Sequence, residues 1–281
     1  MLAINAPAKV NLTLEVLRKR KDGFHEIRSV LQAIDLYDTL YIEPGEGIAF
    51  KCDMEDWLAE KSLLSKAVSL LRESTGCKKG AAIRIEKRIP LMSGLGGDSS
   101  DAAALLKGLN DFWDLKLAEE KLAGLAAQLG SDAVFFLSGG TALASGRGEI
   151  IKPLPTAGKF WLVLVVPGFL LEMGKTSRMY AALKPSHFSD GSITGKLVDD
   201  LKKGKPFRPA RLFNTFENIA FEDFNIKHIY VDPLIKIGAL HVHLAGSGPA
   251  VFTTLPDKTR AEDIYRKCTD QGMKALLAQT V

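Results

Sequence analysis

The segment IPLMSGLGGDSSDAAALLKGLN, residues 89–110, places glycines, serines and aspartates directly ahead of a run rich in alanine and leucine. Glycine lets a backbone adopt positive φ and approach a ligand closely. The first turn of the following helix offers unpaired N–H groups and a partial positive charge. The hydroxyls of Ser99 and Ser100 could cap that helix or bind phosphate or magnesium. Two interpretations stay open: a cradle for a polyphosphate, or a flexible loop ahead of a capped helix.

A second glycine-containing segment, GFLLEMGKTS at 168–177, follows the strand-like stretch KFWLVLVV. It must be compared with the P-loop of nucleoside triphosphatases, which has four residues between its first glycine and Gly-Lys-Ser/Thr. Here five residues, 169–173, separate these groups, and they are bulky or acidic. The sequence therefore disfavours a P-loop at this position.

Two charged residues lie in apolar surroundings. Asp132 precedes the apolar run 133–137, where an ionised carboxylate is costly without a nearby cation. Lys9 enters a segment in which apolar and polar residues alternate. A buried lysine and aspartate that meet at a ligand cleft would form a candidate catalytic pair. The alternative is that Asp132 caps a helix after Gly130 and that Lys9 points to water.

The order of the predicted elements indicates an α+β fold with antiparallel sheets rather than a doubly wound one. Alternation in AKVNLTLEV predicts a strand with one polar face. Further strands are predicted at 27–36, 38–43, 47–52 and 82–89, and helices at 55–75, 99–113 and 118–129. After residue 129 the sequence predicts strands and helices in a mixed order. With 281 residues the chain is long enough for two domains, which we place at 1–155 and 156–281.

Composition narrows the class of protein. The formal net charge of +4 is mild and the basic residues are scattered, so we expect no nucleic-acid partner. The longest apolar run, 160–171, is too short to span a bilayer, so we expect no membrane association. The N-terminus lacks a targeting pattern, and three separated cysteines suit reduced thiols in the cytoplasm. His241 and His243 share a strand face, but no third metal ligand is evident.

Four segments, in family order, resemble the GHMP kinase superfamily. They are APAKVNLTLEVLRKRKDGFHEI (6–27), IPLMSGLGGDSSDAAA (89–104), LGSDAVFFLSGGTALASGRGE (129–149) and LAGSGPAVF (244–252). The combination of AKVNL with DGFHE is similar to the branch that phosphorylates a cytidyl-linked sugar alcohol in isoprenoid precursor synthesis. The resemblance implies a two-domain GHMP kinase fold with a ribosomal-protein-like N-terminal domain and a ferredoxin-like C-terminal domain.

The resemblance also implies roles for the residues of these segments in an ATP-dependent small-molecule kinase. Asp132 becomes the base that accepts the proton of the substrate hydroxyl, and Lys9 the cation that keeps this carboxylate ionised. A loop would hold the phosphates of ATP, with Mg²⁺ offsetting their charge. Its residues are Pro90, Leu91, Met92, Ser93, Gly94, Leu95, Gly96, Gly97, Asp98, Ser99 and Ser100.

The acceptor implied by the resemblance is a small molecule that carries cytidine diphosphate. His25 would form hydrogen bonds with the cytosine edge, and Phe24 and Tyr180 would stack on the ring, since a base offers both a π face and polar edges. The remaining residues on the substrate side are Asn11, Thr176, Gly246, Ser247 and Gly248. The magnesium ligands and the oligomeric state do not follow from the sequence.

The chain departs from the family pattern at a few positions. Asp98 stands where the family usually has glycine, and Ser62 where asparagine is common; Phe24 replaces a tyrosine. At an effective dielectric of about 20, like unit charges ~4 Å apart repel by roughly 4 kcal/mol. We therefore expect Asp98 either to turn away as a helix cap or to help hold Mg²⁺.

Two other functions remain as alternatives. The first is a GHMP kinase for another small alcohol, such as mevalonate or homoserine, which gives no reason for a cytosine pocket at DGFHE. The second is a non-catalytic relative that serves as a binding module. Such a relative would be expected to lose Lys9, Asp132 or the glycine loop, and this chain has all three.

Overall fold

The computed structural model describes residues 1–54, 57–168, 174–223 and 226–281. Within these ranges the strands are β1 (Leu2–Lys19), β2 (His25–Glu43), β3 (Ile48–Cys52), β4 (Ala81–Glu86), β5 (Thr141–Gly146), β6 (Ile150–Pro153), β7 (Trp161–Val165), β8 (Phe213–Asn214), β9 (His243–Leu244), β10 (Val251–Leu255) and β11 (Ala275–Gln279). The α-helices are α1 (Leu63–Thr75), α2 (Gly97–Phe112), α3 (Glu119–Leu129), α4 (Ser131–Ser138), α5 (Lys175–Ala182), α6 (Ser192–Lys202), α7 (Glu217–Asp223), α8 (Asp232–Lys236) and α9 (Lys258–Asp270). A π-helical stretch, Lys227–Val231, precedes α8.

The chain forms two compact units that are discontinuous in sequence. The first unit consists of residues 1–8, 36–91 and 96–139, and the second of residues 9–35, 92–95 and 140–281. Both units are built from several separate segments, whereas the predicted domains are continuous. The domain boundary near residue 155 therefore stays a prediction.

The first unit combines a small sheet with helices α1 to α4. The end of β2 runs antiparallel to β4, with Thr39 opposite Glu86, and β3 runs parallel to β4, with Ile48 opposite Ala81. Burial of apolar side chains from the sheet and from all four helices forms one core, which is the main stabilising contribution. Its members include Leu40, Ile42, Leu64, Leu71, Ile83, Ile85, Leu105, Leu109, Leu125 and Ala133.

Helix α1 illustrates how local sequence sets an element of this unit. Leu64, Val68 and Leu71 recur at helical spacing and are buried in the core. Ser62 is the N-cap, and its hydroxyl accepts a hydrogen bond from the backbone N–H of Leu64. Gly76 ends the helix in the left-handed region, with φ of 68°. The predicted stop at Gly76 is confirmed, but the helix begins later than predicted; residues 55–56 lie outside the described ranges.

The second unit contains a fully antiparallel sheet in the order β11-β7-β10-β9. Elsewhere in this unit the start of β2 pairs antiparallel with β5, β5 pairs with β6, and β1 runs parallel to β8. Apolar residues of β7 and β10 pack with helix α9 and neighbouring elements in a second core. Its members include Val163, Val165, Phe216, Leu234, Val251, Ala261, Ile264 and Cys268.

The predicted α+β class is confirmed, but the sheets are not purely antiparallel as predicted, because β3 runs parallel to β4 and β1 runs parallel to β8. Individual elements also differ. The strands predicted at 27–36 and 38–43 are one continuous strand, β2. Helix α2 begins at Gly97 rather than at residue 99, so the last residues of the glycine segment form its first turn. Helix α4 corresponds to the helix after Gly130 that was expected only as an alternative. No helix in the described ranges has the length and apolar character needed to cross a bilayer.

Candidate active site

The predicted polar face of β1 is buried rather than exposed. Lys9, Asn11, Thr13 and Glu15 are all at most 5% exposed, so the interpretation that Lys9 points to water is wrong. Hydrogen bonds compensate most of this burial, although Glu15 Oε1 has no partner among the described residues. The Lys9 ammonium donates to Asn11 Oδ1 at 2.8 Å, and Asn11 Nδ2 donates to Ser29 Oγ at 2.8 Å. Because Ser29 fixes the amide, Asn11 presents its oxygen to Lys9.

The glycine loop approaches a second glycine turn within the second unit. Gly94 has φ of 90°, and a Cβ at this residue would lie 2.1 Å from the carbonyl oxygen of Ala245. The Ala250 N–H donates to Ser93 O at 3.1 Å, and the Lys9 N–H donates to Leu95 O at 2.9 Å. Glycine is therefore required at 94 for both its conformation and the close approach of two backbones. This packing supports the phosphate-cradle interpretation over a flexible loop.

The end of the same loop begins helix α2 without a side-chain cap. Gly96, with φ of 79°, is the N-cap residue, and Gly97 is the first helical residue. Ser99 and Ser100 lie inside the first turn, so the prediction that one of them caps this helix is wrong. The hydroxyl of Ser100 is buried and has no hydrogen-bond partner among the described residues. An uncapped helix start with an unsatisfied hydroxyl nearby fits an anion such as phosphate.

Asp98 points to a different helix from the one that contains it. Its carboxylate accepts hydrogen bonds from Ser62 Oγ at 2.6 Å and from the backbone N–H of Leu63 at 3.1 Å. Leu63 is the first residue of α1, so Asp98 caps α1, where a negative charge is stabilised. Two of the departures from the family pattern, Ser62 and Asp98, are thus bonded to each other. Of the two expectations for Asp98, the structure supports the helix cap.

We expect Asp98→Ala to lower the free energy of unfolding by about 1 kcal/mol, because a helix N-terminus loses its charged cap. Urea denaturation of the purified protein measures this change. Asp111→Ala is the matched control, since Asp111 is exposed on the same helix. A loss no larger than that of the control, together with an altered magnesium dependence of turnover, would contradict the capping role.

A buried ionic cluster lies where β4 leads into the glycine loop. The Lys87 ammonium donates to Asp38 and, at 2.6 Å, to Asp101, and all three side chains are at most 1% exposed. Asp38 also accepts from the backbone N–H groups of Arg88 at 2.5 Å and Ile89 at 2.7 Å. Burial raises the pKa of Asp101 to about 8; Lys87 opposes this rise and Asp38 adds to it. The cluster joins β2, the end of β4 and the first turns of α2, and so fixes both ends of the loop within the first unit.

We expect Lys87→Met to lower the free energy of unfolding by about 3–5 kcal/mol, since it leaves the carboxyl groups of Asp38 and Asp101 buried without their cation. Thermal or urea unfolding at pH 7.5 measures the loss. The control is Lys116→Met, which removes an exposed lysine from the same unit. Equal stability of the two variants would show that the cluster does not hold this region together.

Asp132 lies in the first turn of α4 and is half-buried. Gly130 is the N-cap residue, so the prediction that Asp132 itself caps a helix is wrong. Ala133 and Phe135 are buried, and they anchor the helix in the first unit while Asp132 stays accessible. An accessible carboxylate on an anchored helix can accept a proton from a bound hydroxyl.

The turn at 246–248 lies beside Lys9 and Thr176 in the second unit. Gly246 has φ of 58°, and a Cβ at this residue would lie 3.1 Å from Lys9 Nζ. Ser247 Oγ shares a hydrogen bond of 3.0 Å with Thr176 Oγ1. Three of the predicted substrate-side groups, Thr176, Ser247 and Gly246, are therefore in one neighbourhood with Lys9.

Asn214 supports this turn, although it matches the family pattern only weakly. It is 2% exposed, and its amide nitrogen donates to Leu244 O at 2.9 Å and Gly246 O at 2.7 Å. Its amide oxygen accepts from the Phe216 N–H at 3.0 Å. Both polar groups of the side chain thus bond to the backbone, and the amide nitrogen holds the turn in place. A polar residue between two phenylalanines, in LFNTF, was the available indication.

The aromatic residues expected to bind a base separate into two groups. His25 stacks on Tyr180, with ring centroids 5.0 Å apart, and Tyr180 contacts Phe216 edge to face at 4.9 Å. Phe24 is 53% exposed, and the Arg147 guanidinium lies 4.7 Å from its ring centroid. Burial lowers the pKa of His25, with a smaller effect of Lys19, which favours the neutral imidazole. A neutral imidazole both donates and accepts hydrogen bonds, as recognition of a base edge requires.

The two histidines near β9 have protein partners. His243 Nδ1 is 3.0 Å from Glu217 Oε1, and His241 Nε2 is 3.2 Å from Thr254 Oγ1. Among the described residues no group of three or more His, Cys, Asp or Glu is arranged to hold a metal ion. Each histidine thus has one ring nitrogen bonded to protein, whereas His241 Nδ1 is buried and has no hydrogen-bond partner among the described residues. The segment 169–173, compared above with a P-loop, lies outside the described ranges.

Family models match both halves of the chain. The model of the GHMP kinases N terminal domain matches residues 62–140, and the model described as GHMP kinases C terminal matches residues 230–274. A crystal structure of L. major mevalonate kinase, 18% identical, has a TM-score of 0.75 over 100% of this chain and 96% of that one, which reflects the shared fold alone. The predicted two-domain GHMP kinase fold is confirmed.

Relatives with higher sequence identity are kinases of one cytidyl-linked substrate. The 4-diphosphocytidyl-2-C-methyl-D-erythritol kinase of Dehalococcoides mccartyi is 46% identical over 281 residues, covering 100% of this chain and 99% of its own. A crystal structure of 4-(cytidine 5'-diphospho)-2C-methyl-D-erythritol kinase is 31% identical, with a TM-score of 0.83 and 99% of both chains covered. The resemblance seen in the motifs therefore extends over the full length. The chain belongs to the 4-diphosphocytidyl-2-C-methyl-D-erythritol kinase family.

Proposed function

We propose that this chain transfers the γ-phosphoryl group of ATP to the 2-hydroxyl of 4-diphosphocytidyl-2-C-methyl-D-erythritol, in non-mevalonate isoprenoid precursor synthesis. The full-length similarity to the Dehalococcoides mccartyi enzyme is the observation that carries this proposal. The bond between the γ-phosphorus and its bridging oxygen breaks, and a bond from that phosphorus to the acceptor oxygen forms. ADP leaves, and the hydroxyl proton passes to a protein base.

Asp132 is the base in this proposal, and Lys9 is the cation that keeps it ionised and orients the hydroxyl. Two features support the assignment. Asp132 is accessible at a helix start, and Lys9 is buried in an orientation fixed through Asn11 and Ser29. Positioning and charge supply most of the catalysis, because phosphoryl transfer needs little covalent help from the protein.

Residues 90–100 hold the ATP phosphates in this proposal. The uncapped start of α2, the unsatisfied Ser100 hydroxyl and the close backbone approach at Gly94 support a polyphosphate here. Mg²⁺, when bound with ATP, would neutralise part of the phosphate charge. Each oxygen of Asp98 accepts a hydrogen bond at the start of α1, which supports capping rather than Mg²⁺ binding as its role in this proposal.

The acceptor is recognised mainly through its base. His25 offers a neutral imidazole to the cytosine edge, while Tyr180, on which it stacks, and Phe24, which is exposed, provide aromatic surfaces. Asn11, Thr176 and the turn 246–248 contact the part of the acceptor that reacts. Their shared neighbourhood with Lys9 supports this division between base recognition and chemistry.

We expect His25→Ala to raise the KM for the cytidyl acceptor by about 10- to 100-fold, because the base edge loses its hydrogen-bond partner. The KM for ATP should stay within about twofold of wild type. Steady-state kinetics with each substrate varied in turn measures both values, and the exposed His228→Ala provides the control. An equal rise in both KM values would point to general damage rather than to base recognition.

Release of ADP in the presence of Mg²⁺-ATP tests the proposed function. Parallel reactions contain the cytidyl substrate, mevalonate, homoserine or no acceptor. We expect release that depends on the cytidyl compound alone. Release with mevalonate or homoserine would instead support the other GHMP kinases, and folded protein that is inactive with every acceptor would support the binding module.

A further inference from the structure

Lys175, the first residue of α5, is a buried cation with no partner in the described part of the chain. It is 8% exposed and forms no hydrogen bond or ion pair with any described residue. The other buried ammonium groups are compensated: Lys87 lies between two carboxylates, and Lys9 donates to Asn11. An uncompensated buried charge is costly, so such a group is a candidate for binding an anion.

A second positive charge lies close to Lys175. The charge of Lys9, added to the larger effect of burial, lowers the pKa of Lys175 to about 8. Two ammonium groups in one buried neighbourhood repel each other, and an oxyanion bound between them would remove that repulsion. An anionic group bound at Lys175 would therefore offset both its burial and its repulsion from Lys9.

The surroundings of Lys175 also favour a phosphate oxyanion. Its neighbour Thr176 shares a hydrogen bond with Ser247, in the glycine turn that approaches Lys9. Helix α5 begins after Gly174, which is in the left-handed region and gives the helix no side-chain cap. The start of α5, the hydroxyl pair and the two lysines thus belong to the second unit, and backbone N–H, hydroxyl and ammonium groups are all recurrent phosphate ligands.

We propose that Lys175 is a phosphate-binding residue that contacts the γ-phosphoryl group of ATP during its transfer. This inference rests on the proposed function, in which Lys9 orients the reacting hydroxyl. Lys175 is near Lys9 and is therefore expected to be near that hydroxyl. The diphosphate of the acceptor is also a phosphate oxyanion and could bind the same groups. We assign the γ-phosphoryl group because Lys9, the neighbouring cation, is the residue assigned to the transfer reaction.

Calorimetric titration with ATP, ADP and CDP, without acceptor, tests this inference in wild type, Lys175→Met, Lys175→Arg and the exposed control Lys202→Met. We expect Lys175→Met to weaken ATP binding by about 10- to 100-fold and to leave ADP and CDP binding unchanged. Lys175→Arg should recover most of the ATP affinity. Turnover should fall in Lys175→Met by at least the same factor as the affinity.

Three outcomes would overturn the assignment. Weaker CDP binding with unchanged ATP binding would place the acceptor diphosphate at Lys175 instead. Equal weakening of ATP and ADP would indicate a structural role, as would a failure of arginine to rescue. Wild-type ATP affinity in Lys175→Met, in a preparation that turns over the cytidyl acceptor, would refute the inference and leave the proposed function intact; absence of wild-type turnover would refute the proposed function.

Discussion

Replacing Asp132 by asparagine is expected to lower kcat by about 10²- to 10⁴-fold, the range that a positioned general base contributes. The amide has nearly the shape of the carboxylate but cannot accept the hydroxyl proton. Asp132 lies on an accessible part of a helix whose neighbouring residues are anchored in the core, so the fold should tolerate the change. The KM values for ATP and for the acceptor should change little.

Rapid-quench measurement of a single turnover gives the chemical step directly. Asp114→Asn serves as the control, since Asp114 is exposed in the same unit. Near-normal turnover in Asp132→Asn would refute the base assignment. A large rise in KM without loss of kcat would instead assign Asp132 to binding.

Replacing Lys9 by methionine is expected to lower kcat by about 10²- to 10³-fold, comparable to the loss of one preorganised electrostatic group. The change keeps the aliphatic part of the side chain and removes the charge. Asn11 Oδ1 then loses the ammonium donor 2.8 Å away, while Asn11 stays bonded to Ser29. We therefore expect the loss to fall on catalysis more than on stability.

The exposed Lys152→Met, in the same unit, is the control for Lys9→Met. Circular dichroism and thermal unfolding should give similar curves for the two variants. Full activity of Lys9→Met would remove Lys9 from the mechanism. Loss of folding would be resolved with Lys9→Arg, which keeps the charge and should retain part of the rate.

The sequence could predict elements whose signal is local. Alternation identified β1, and Gly76 marked the end of α1, because both depend on residues next to one another. The burial of the polar face of β1 was not predictable in this way. It depends on Ser29 and on Thr194, whose hydroxyl bonds to Thr13 and whose N–H bonds to Glu15 from far along the chain.

Long-range partners also explain the features of the site that the sequence did not reveal. Asp98 forms its hydrogen bonds with Ser62 and Leu63 at the start of another helix. No local sequence pattern connects these residues. The cluster of Asp38, Lys87 and Asp101 could not be predicted either, because its members come from three separate segments of the chain. Helix α4 was expected only as an alternative because the short apolar run 133–137 does not distinguish a helix from a strand.

Identifying the product tests the central claim most directly. Wild-type protein is incubated with Mg²⁺-ATP and the cytidyl acceptor, and the mixture is followed by ³¹P NMR. The account predicts a new phosphate monoester resonance that grows in proportion to ADP, while the diphosphate resonances of the acceptor are retained. Formation of ADP with inorganic phosphate and no monoester, or no reaction at all by folded protein, would contradict the assignment of this chain as a kinase of the cytidyl acceptor.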